Sequence, residues 1–213
     1  MRLERERKLV VEHAQRLRRD GLVVLTAGNV SLRAGDVVAI TPAGVDYDLL
    51  RPELICLVDL DGRVVEAELA PSSERPLHLA LYRDPGVGAV VHTHSPYATA
   101  LSTLVDEVPP VHYLFAELGG SVRVAPYATF GSAELAEGVA RALEGRNAAL
   151  LASHGAVSAG ETLQRAYDRA VLLESLCALY YRARLLGRPA VLDSDEIVRV
   201  AERLRVHTRP TAP

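Results

Sequence analysis

Lysine is almost missing from this chain. Of 24 basic residues only Lys8 is a lysine, and it lies in the charged run ERERK. A Schiff-base mechanism needs a buried, desolvated amine, for which Lys8 is a poor candidate, so any carbonyl chemistry here points to a metal as the electrophile. Cysteine is scarce as well. Cys56 and Cys177 both sit among apolar neighbours, in LICLV and ESLCALY. That pattern argues against a disulfide framework or a thiolate metal site and reads as two buried thiols in a reducing compartment. No apolar run approaches the ~18 residues that a membrane span requires. The first 21 residues alternate charge and apolar positions at helical spacing, without the apolar core and cleavage site of a secretory signal. A cytoplasmic location and no membrane partner are expected. Positive charge is not in excess either: the net charge is -3, which gives no electrostatic case for nucleic acid. No linker, repeat or low-complexity tract divides the 213 residues, 49% of them hydrophobic, so a single domain over residues 1–213 with one substantial core is expected.

Periodicity supplies the elements. Val10, Ala14 and Leu17 mark an amphipathic helix over residues 3–20, stopped by Gly21. Strands are expected at 22–25, 30–33, 37–41, 55–59 and 63–66, the last two joined at Asp61-Gly62. Ser72 or Ser73 caps a helix to Tyr82, with Pro76 in its first turn. A strand at 88–93 and a helix at 96–104 follow, then a helix at 133–143 capped by Ser132, strands at 148–152 and 156–158, a long helix at 161–186, and a last helix from Ser194 to 205. Strands and helices do not alternate strictly, which points to a central, mostly antiparallel sheet covered by helices.

Two apolar strand-like runs end in histidine. VGAVV leads into His92-Thr93-His94, and AALLA leads into Ser153-His154-Gly155. Side chains at i and i+2 of a strand share a face, so His92 and His94 can present two imidazoles side by side. A third from His154 gives three protein ligands with one coordination position open, the pattern of a catalytic zinc site. Cobalt, manganese or iron would suit the same donors.

Three short segments offer hydroxyls and bare backbone N–H groups: Thr26-Ala27-Gly28-Asn29, Thr41-Pro42-Ala43-Gly44 and Pro71-Ser72-Ser73-Glu74. Singly each reads as an ordinary turn or helix start. Together they can hold a phosphate without Lys or Arg, because glycine lets the backbone approach an oxyanion and a helix start adds unpaired N–H groups. Glu74 beside a metal and a phosphate is a candidate general base. His13, His78, His112 and His207 read as packing or surface residues.

The ordered set TAGNVS, ITPAG, PSSE, AVVHTHSPYATA, VHY, APYATFGSAELAE and HG covers nearly the whole chain. It resembles the class II aldolase/adducin family and, within it, the branch that cleaves ketose phosphates like L-fuculose 1-phosphate. The resemblance implies an α/β three-layer fold: a central, mostly antiparallel nine-stranded sheet flanked by helices. It implies a homotetramer with active sites at subunit interfaces and one Zn²⁺ per subunit on His92, His94 and His154. Glu74 would be the acid/base, while Thr26, Asn29, Gly44, Ser72 and Ser73 would hold the substrate phosphate. Tyr113 would reach a neighbouring subunit's site as a proton donor, and Phe130 would line the aldehyde side. The activity implied is retro-aldol cleavage to dihydroxyacetone phosphate and a small aldehyde such as lactaldehyde.

Two departures from that pattern stand out. Ala43 replaces a hydroxyl residue common between Pro and Gly, and the segment 203–213 carries no tyrosine. Alternatives on the same fold are a pentulose-5-phosphate 4-epimerase, a methylthioribulose-1-phosphate dehydratase, an aldolase for 5-deoxypentulose phosphates, and a non-enzymatic adducin-like scaffold. A cupin-type oxygenase would need a carboxylate soon after the histidine pair, and SPYATALSTL has none.

Overall fold

The computed structural model describes residues 1–207. Nine strands form one sheet: β1 (Asn29–Ala34), β2 (Val37–Ile40), β3 (Cys56–Asp59), β4 (Val64–Glu66), β5 (Ala89–Thr93), β6 (Glu107–Val108), β7 (Val122–Ala125), β8 (Ala148–Leu151) and β9 (Gly155–Gly160). Their order is β4-β3-β2-β1-β5-β9-β8-β7-β6. Every pairing is antiparallel except β7 with β8. Six helices accompany the sheet: α1 (Glu4–Arg19), α2 (Arg75–Leu81), α3 (Pro96–Ser102), α4 (Ala133–Leu143), α5 (Leu163–Leu186) and α6 (Ser194–His207).

Both faces of the sheet are covered, and strand alternation sorts the core between them. Leu57, Ala89 and Val91 pack with Val10, Ala14 and Leu17 of α1 and Ala166 of α5. Their sequence neighbours Val58 and Val90 pack with Leu77 of α2 and Leu135 of α4. Ala148 and Leu150 continue the first face under α3, α5 and α6. Strands buried on two sides read as continuous apolar runs, which is why VGAVV and AALLA are unbroken.

The expected strand at 22–25 does not form. Leu22 N–H closes onto Leu17 O (2.9 Å) at the end of α1, and Leu22 and Val23 are buried while Val24 and Leu25 are exposed. Both edges of β1 are already taken by β2 and β5, so no ladder remains for this segment. The serines do not cap α2. Glu74 holds the cap position, and Ser72 Oγ accepts from Glu74 N–H (3.2 Å) one turn earlier. Ser132 does cap α4, accepting from Leu135 N–H. The last helix is capped by Asp193, whose carboxylate accepts from Glu196 N–H (2.7 Å), rather than by Ser194. Strands β6 and β7 and the 3₁₀ segment Tyr113–Leu118 escape sequence reading because each is short and held by pairing or packing from elsewhere. Residues 208–213, the end of the tyrosine-free tail, lie outside the described residues.

Candidate active site and metal centre

β5 carries His92 fully buried at its end, with His94 two residues on. Val90 faces α2 and α4, and the pleat puts His92 on that same side. His92 Nδ1 contacts Ala156 O at 2.9 Å across the β5–β9 ladder. A carbonyl only accepts, so Nδ1 carries a proton and Nε2 is turned to the centre. His154 comes from the turn between β8 and β9, where Ser153 takes φ 52°. Gly155 lets that turn close, since a Cβ there would stand 2.3 Å from Thr93 O and 3.3 Å from the His94 ring. The three imidazole centroids lie 4.9 Å apart pairwise, with planes crossed at 75–80°.

Glu74 enters from the start of α2. Its Oε2 lies 3.0 Å from His92 Nε2, and its Oε1 lies 3.2 Å from His154 Nε2. One donor atom from each of Glu74, His92, His94 and His154 falls within 4.8 Å of the others. His92 Nε2 and His94 Nε2 are 3.0 Å apart, and Glu74 Oε1 is buried with no hydrogen bond. Ring nitrogens and a carboxylate converge here closely enough to share one cation. The donor set therefore fits a divalent cation: three imidazoles with a carboxylate alongside.

Electrostatics match that demand. Burial alone would raise the Glu74 carboxyl, but charge on His92 and hydrogen bonds from His92 and Asn29 outweigh it and hold the group well below the usual carboxylate range. Burial, then the charge on His92, pushes His94 down to about 4 and His154 below its ordinary value. These two rings are neutral near pH 7, the form that binds metal.

A cavity of about 330 Å³ opens against this cluster. Its walls include Thr26, Asn29, Gly44, Ser72, Ser73, Glu74, His94, His154 and Phe130, so the expected phosphate contacts and the metal cluster meet in one space. Gly28 lets the first loop lie on β5: at φ +110°, a Cβ there would stand 2.9 Å from His92 O. The buried Tyr47 pins that loop by donating to Gly28 O (2.6 Å). The second and third loops are stitched together, Ala43 N–H to Ala70 O (2.9 Å) and Ser72 N–H to Thr41 O (3.1 Å). Ala43 N–H is thereby engaged, while Gly44, at φ +68° with open space around it, sits at the cavity wall.

Tyr113 does not line this cavity. It opens the 3₁₀ segment 49% exposed, away from its own chain's site. His112 beside it caps that segment by accepting from Leu114 N–H (3.2 Å). Asn29 lines the cavity, but its carboxamide is turned to Glu74 and His78. Sequence reasoning missed Tyr127 and Ser153 in the walls, and it missed His78 behind Glu74.

Glu74, His92, His94 and His154 thus form a cluster that could hold a metal ion, against the cavity at the end of a mixed sheet. The model of the Class II Aldolase and Adducin N-terminal domain matches residues 8–181, and the chain belongs to that family. It is 42% identical over 200 residues to a 5-methylthioribulose-1-phosphate/5-deoxyribulose-1-phosphate aldolase of Rhodospirillum rubrum, covering 93% of this chain and 90% of that one. It is 40% identical over 201 residues to the L-fuculose phosphate aldolase of Escherichia coli (strain K12), covering 93% of each. A solved structure of an L-fuculose 1-phosphate aldolase superposes with a TM-score of 0.92 at 36% identity, covering 94% of this chain and 96% of that one. Among the described residues no helix is long and apolar enough to cross a membrane.

Proposed function

We propose that this protein cleaves a ketose 1-phosphate by a metal-dependent retro-aldol reaction, giving dihydroxyacetone phosphate and a small aldehyde. The observation that carries this reading is one cavity lined by Glu74 and histidines together with hydroxyls and a glycine backbone and, among the described residues, by no lysine or arginine. His92, His94 and His154 hold the cation, zinc by donor type. When bound, it supplies the Lewis acidity that stabilises negative charge developing on the ketose oxygens. Glu74 moves the proton at the carbon beside the carbonyl, with Oε1 as the oxygen free to take it. Thr26, Asn29, Gly44, Ser72 and Ser73 bind the phosphate, Asn29 through the amide hydrogen not given to Glu74. Tyr113 of a neighbouring copy in a homotetramer exchanges the proton of the aldehyde oxygen, and Phe130 bounds the aldehyde side. Two buried free thiols accord with a cytoplasmic enzyme.

L-Fuculose 1-phosphate, releasing lactaldehyde, is the substrate class favoured by the likeness to fuculose phosphate aldolases. A 5-deoxypentulose 1-phosphate, releasing a two-carbon aldehyde, is the second reading, favoured by the relative named for such substrates. A panel of ketose 1-phosphates given to metal-loaded protein decides between them by the aldehyde released with dihydroxyacetone phosphate. Release from none of them would overturn the proposal.

The phosphate contacts have their own test. A hydrogen bond to a charged group is worth about 1.5–3 kcal/mol, and each 1.4 kcal/mol is about tenfold. Ser72→Ala with Ser73→Ala is expected to raise KM for the phosphorylated substrate at least about tenfold, measured by initial rates of cleavage. An unchanged KM would move the phosphate elsewhere.

A further inference from the structure

Behind Glu74 and Asn29 lie three buried polar groups, His78, Ser31 and Tyr82, that the reaction outlined above does not use. Glu74, His78 and Tyr82 stand at i, i+4 and i+8 along α2 and its two caps, a spacing that keeps side chains on one helix face. Asn29 and Ser31 stand at i and i+2 on β1, sharing the sheet face turned to α2. The two sets interlock. Asn29 Nδ2 donates to Glu74 Oε2 (2.9 Å), and Asn29 Oδ1 contacts His78 Nε2. Ser31 Oγ lies 2.6 Å from His78 Nδ1 and 2.6 Å from Tyr82 Oη. All five side chains are at least nine-tenths buried, His78 and Ser31 completely.

The direction of every proton in this chain follows by elimination. An ionised carboxylate only accepts, so Asn29 must turn its NH₂ to Glu74 and its carbonyl to His78. That carbonyl only accepts, so His78 Nε2 must donate. Burial, with the charge on His92 adding to it, holds His78 neutral by pushing it down to about 3. Nδ1 is therefore an acceptor, filled by the Ser31 hydroxyl, whose oxygen in turn accepts from the Tyr82 phenol. Four hydrogen bonds point one way, from Tyr82 through Ser31, His78 and Asn29 to Glu74 Oε2. They leave Oε1 with no hydrogen bond, buried beside the cavity and 3.2 Å from His154 Nε2.

We infer that His78 is a positioning residue for the base: through Asn29 it fixes which carboxylate oxygen of Glu74 is held and which is free to take the substrate proton. This rests on the reading of Glu74 as the base. Partners behind a catalytic group typically carry about 10–100-fold in activity. In metal-loaded protein, His78→Leu is expected to lower kcat about 30-fold with a smaller rise in KM, because of the proposed phosphate contacts only Asn29 touches His78. His78→Gln, whose amide can still donate to Asn29 Oδ1, is expected to recover most of the lost rate. Loss of stability alone would not separate these variants in that order once both are folded at the assay temperature. A kcat for folded His78→Leu within about twofold of the unmodified protein would overturn the inference, as would equal losses in the two variants.

Should His78→Leu fail to fold, nitrogen-15 spectra of histidine-labelled, metal-loaded unmodified protein decide. A His78 ring protonated at Nε2 and bare at Nδ1 is expected, its signals identified by their loss in His78→Gln, and the opposite tautomer refutes the chain. The two readings fail separately. Absence of solvent exchange into dihydroxyacetone phosphate in the unmodified protein would defeat Glu74 as base. Exchange there with an undiminished rate in His78→Leu would defeat only the positioning role.

Discussion

Glu74→Gln is expected to abolish solvent hydrogen exchange into dihydroxyacetone phosphate, lowering it about 10²–10⁴-fold, the range carried by a positioned general base, while the protein still binds its metal. The substitution keeps the shape of the side chain. The Gln carbonyl can accept from Asn29 Nδ2 where Oε2 now does (2.9 Å), so the polar chain behind it stays satisfied. What is lost is the proton acceptor at Oε1, which accepts no hydrogen bond. Metal retention follows from the three imidazoles, which are positioned independently of Glu74: His92 by Ala156 O, His94 by the end of β5, His154 by the β8–β9 turn. Exchange followed by mass spectrometry, beside the metal content of the purified variant, gives the answer. Normal exchange with metal present would remove Glu74 as base.

The parts of the site that were readable are those set by local rules. His92 and His94 were readable because alternate strand residues share a face, and His154 because an apolar run stops there before a glycine. The three loops that meet at the cavity were readable as a set, not singly, since each alone is an ordinary turn. The His78 contact was present as the spacing Glu-x₃-His-x₃-Tyr, but that spacing gains meaning only when β1 is known to lie opposite α2. Likewise Leu22 to Leu25 has the composition of a strand, and what denies it a ladder is that β1 already has β2 and β5 on its two edges. β6 and β7 are formed by pairing across the chain, β7 parallel to β8, and no local pattern announces a partner that arrives some 25 residues later. The exposed Tyr113 shows the same limit at a larger scale: its proposed role belongs to a neighbouring copy, and nothing in one chain's cavity records it.

Removing the metal with a chelator is expected to stop cleavage and to lower the melting temperature, and His154→Ala is expected to do both without chelator. The catalytic loss follows from the lack of an alternative electrophile among the described residues, whose cavity walls contain no lysine or arginine, while Lys8, the sole lysine, lies in the N-terminal charged run. The loss of stability follows from what the ligands would face. Glu74 Oε1 is buried with no hydrogen bond, and His92 Nε2 lies 3.0 Å from both His94 Nε2 and Glu74 Oε2. A cation binding there relieves both conflicts, and its binding energy adds to folding. At 1,000 times its Kd a ligand stabilises the native state by about 4.1 kcal/mol. At about 2–4 °C per kcal/mol for a chain of this size, the melting temperature should fall by roughly 8–16 °C on chelation. Re-addition of Zn²⁺ should restore both melting temperature and cleavage in the unmodified protein, and neither fully in His154→Ala. Calorimetry and the dihydroxyacetone phosphate assay, run on the same samples, measure the two effects together. Cleavage that persists in chelated protein of verified zero metal content would show that the three histidines do not serve the reaction through a cation, whatever else they hold in place.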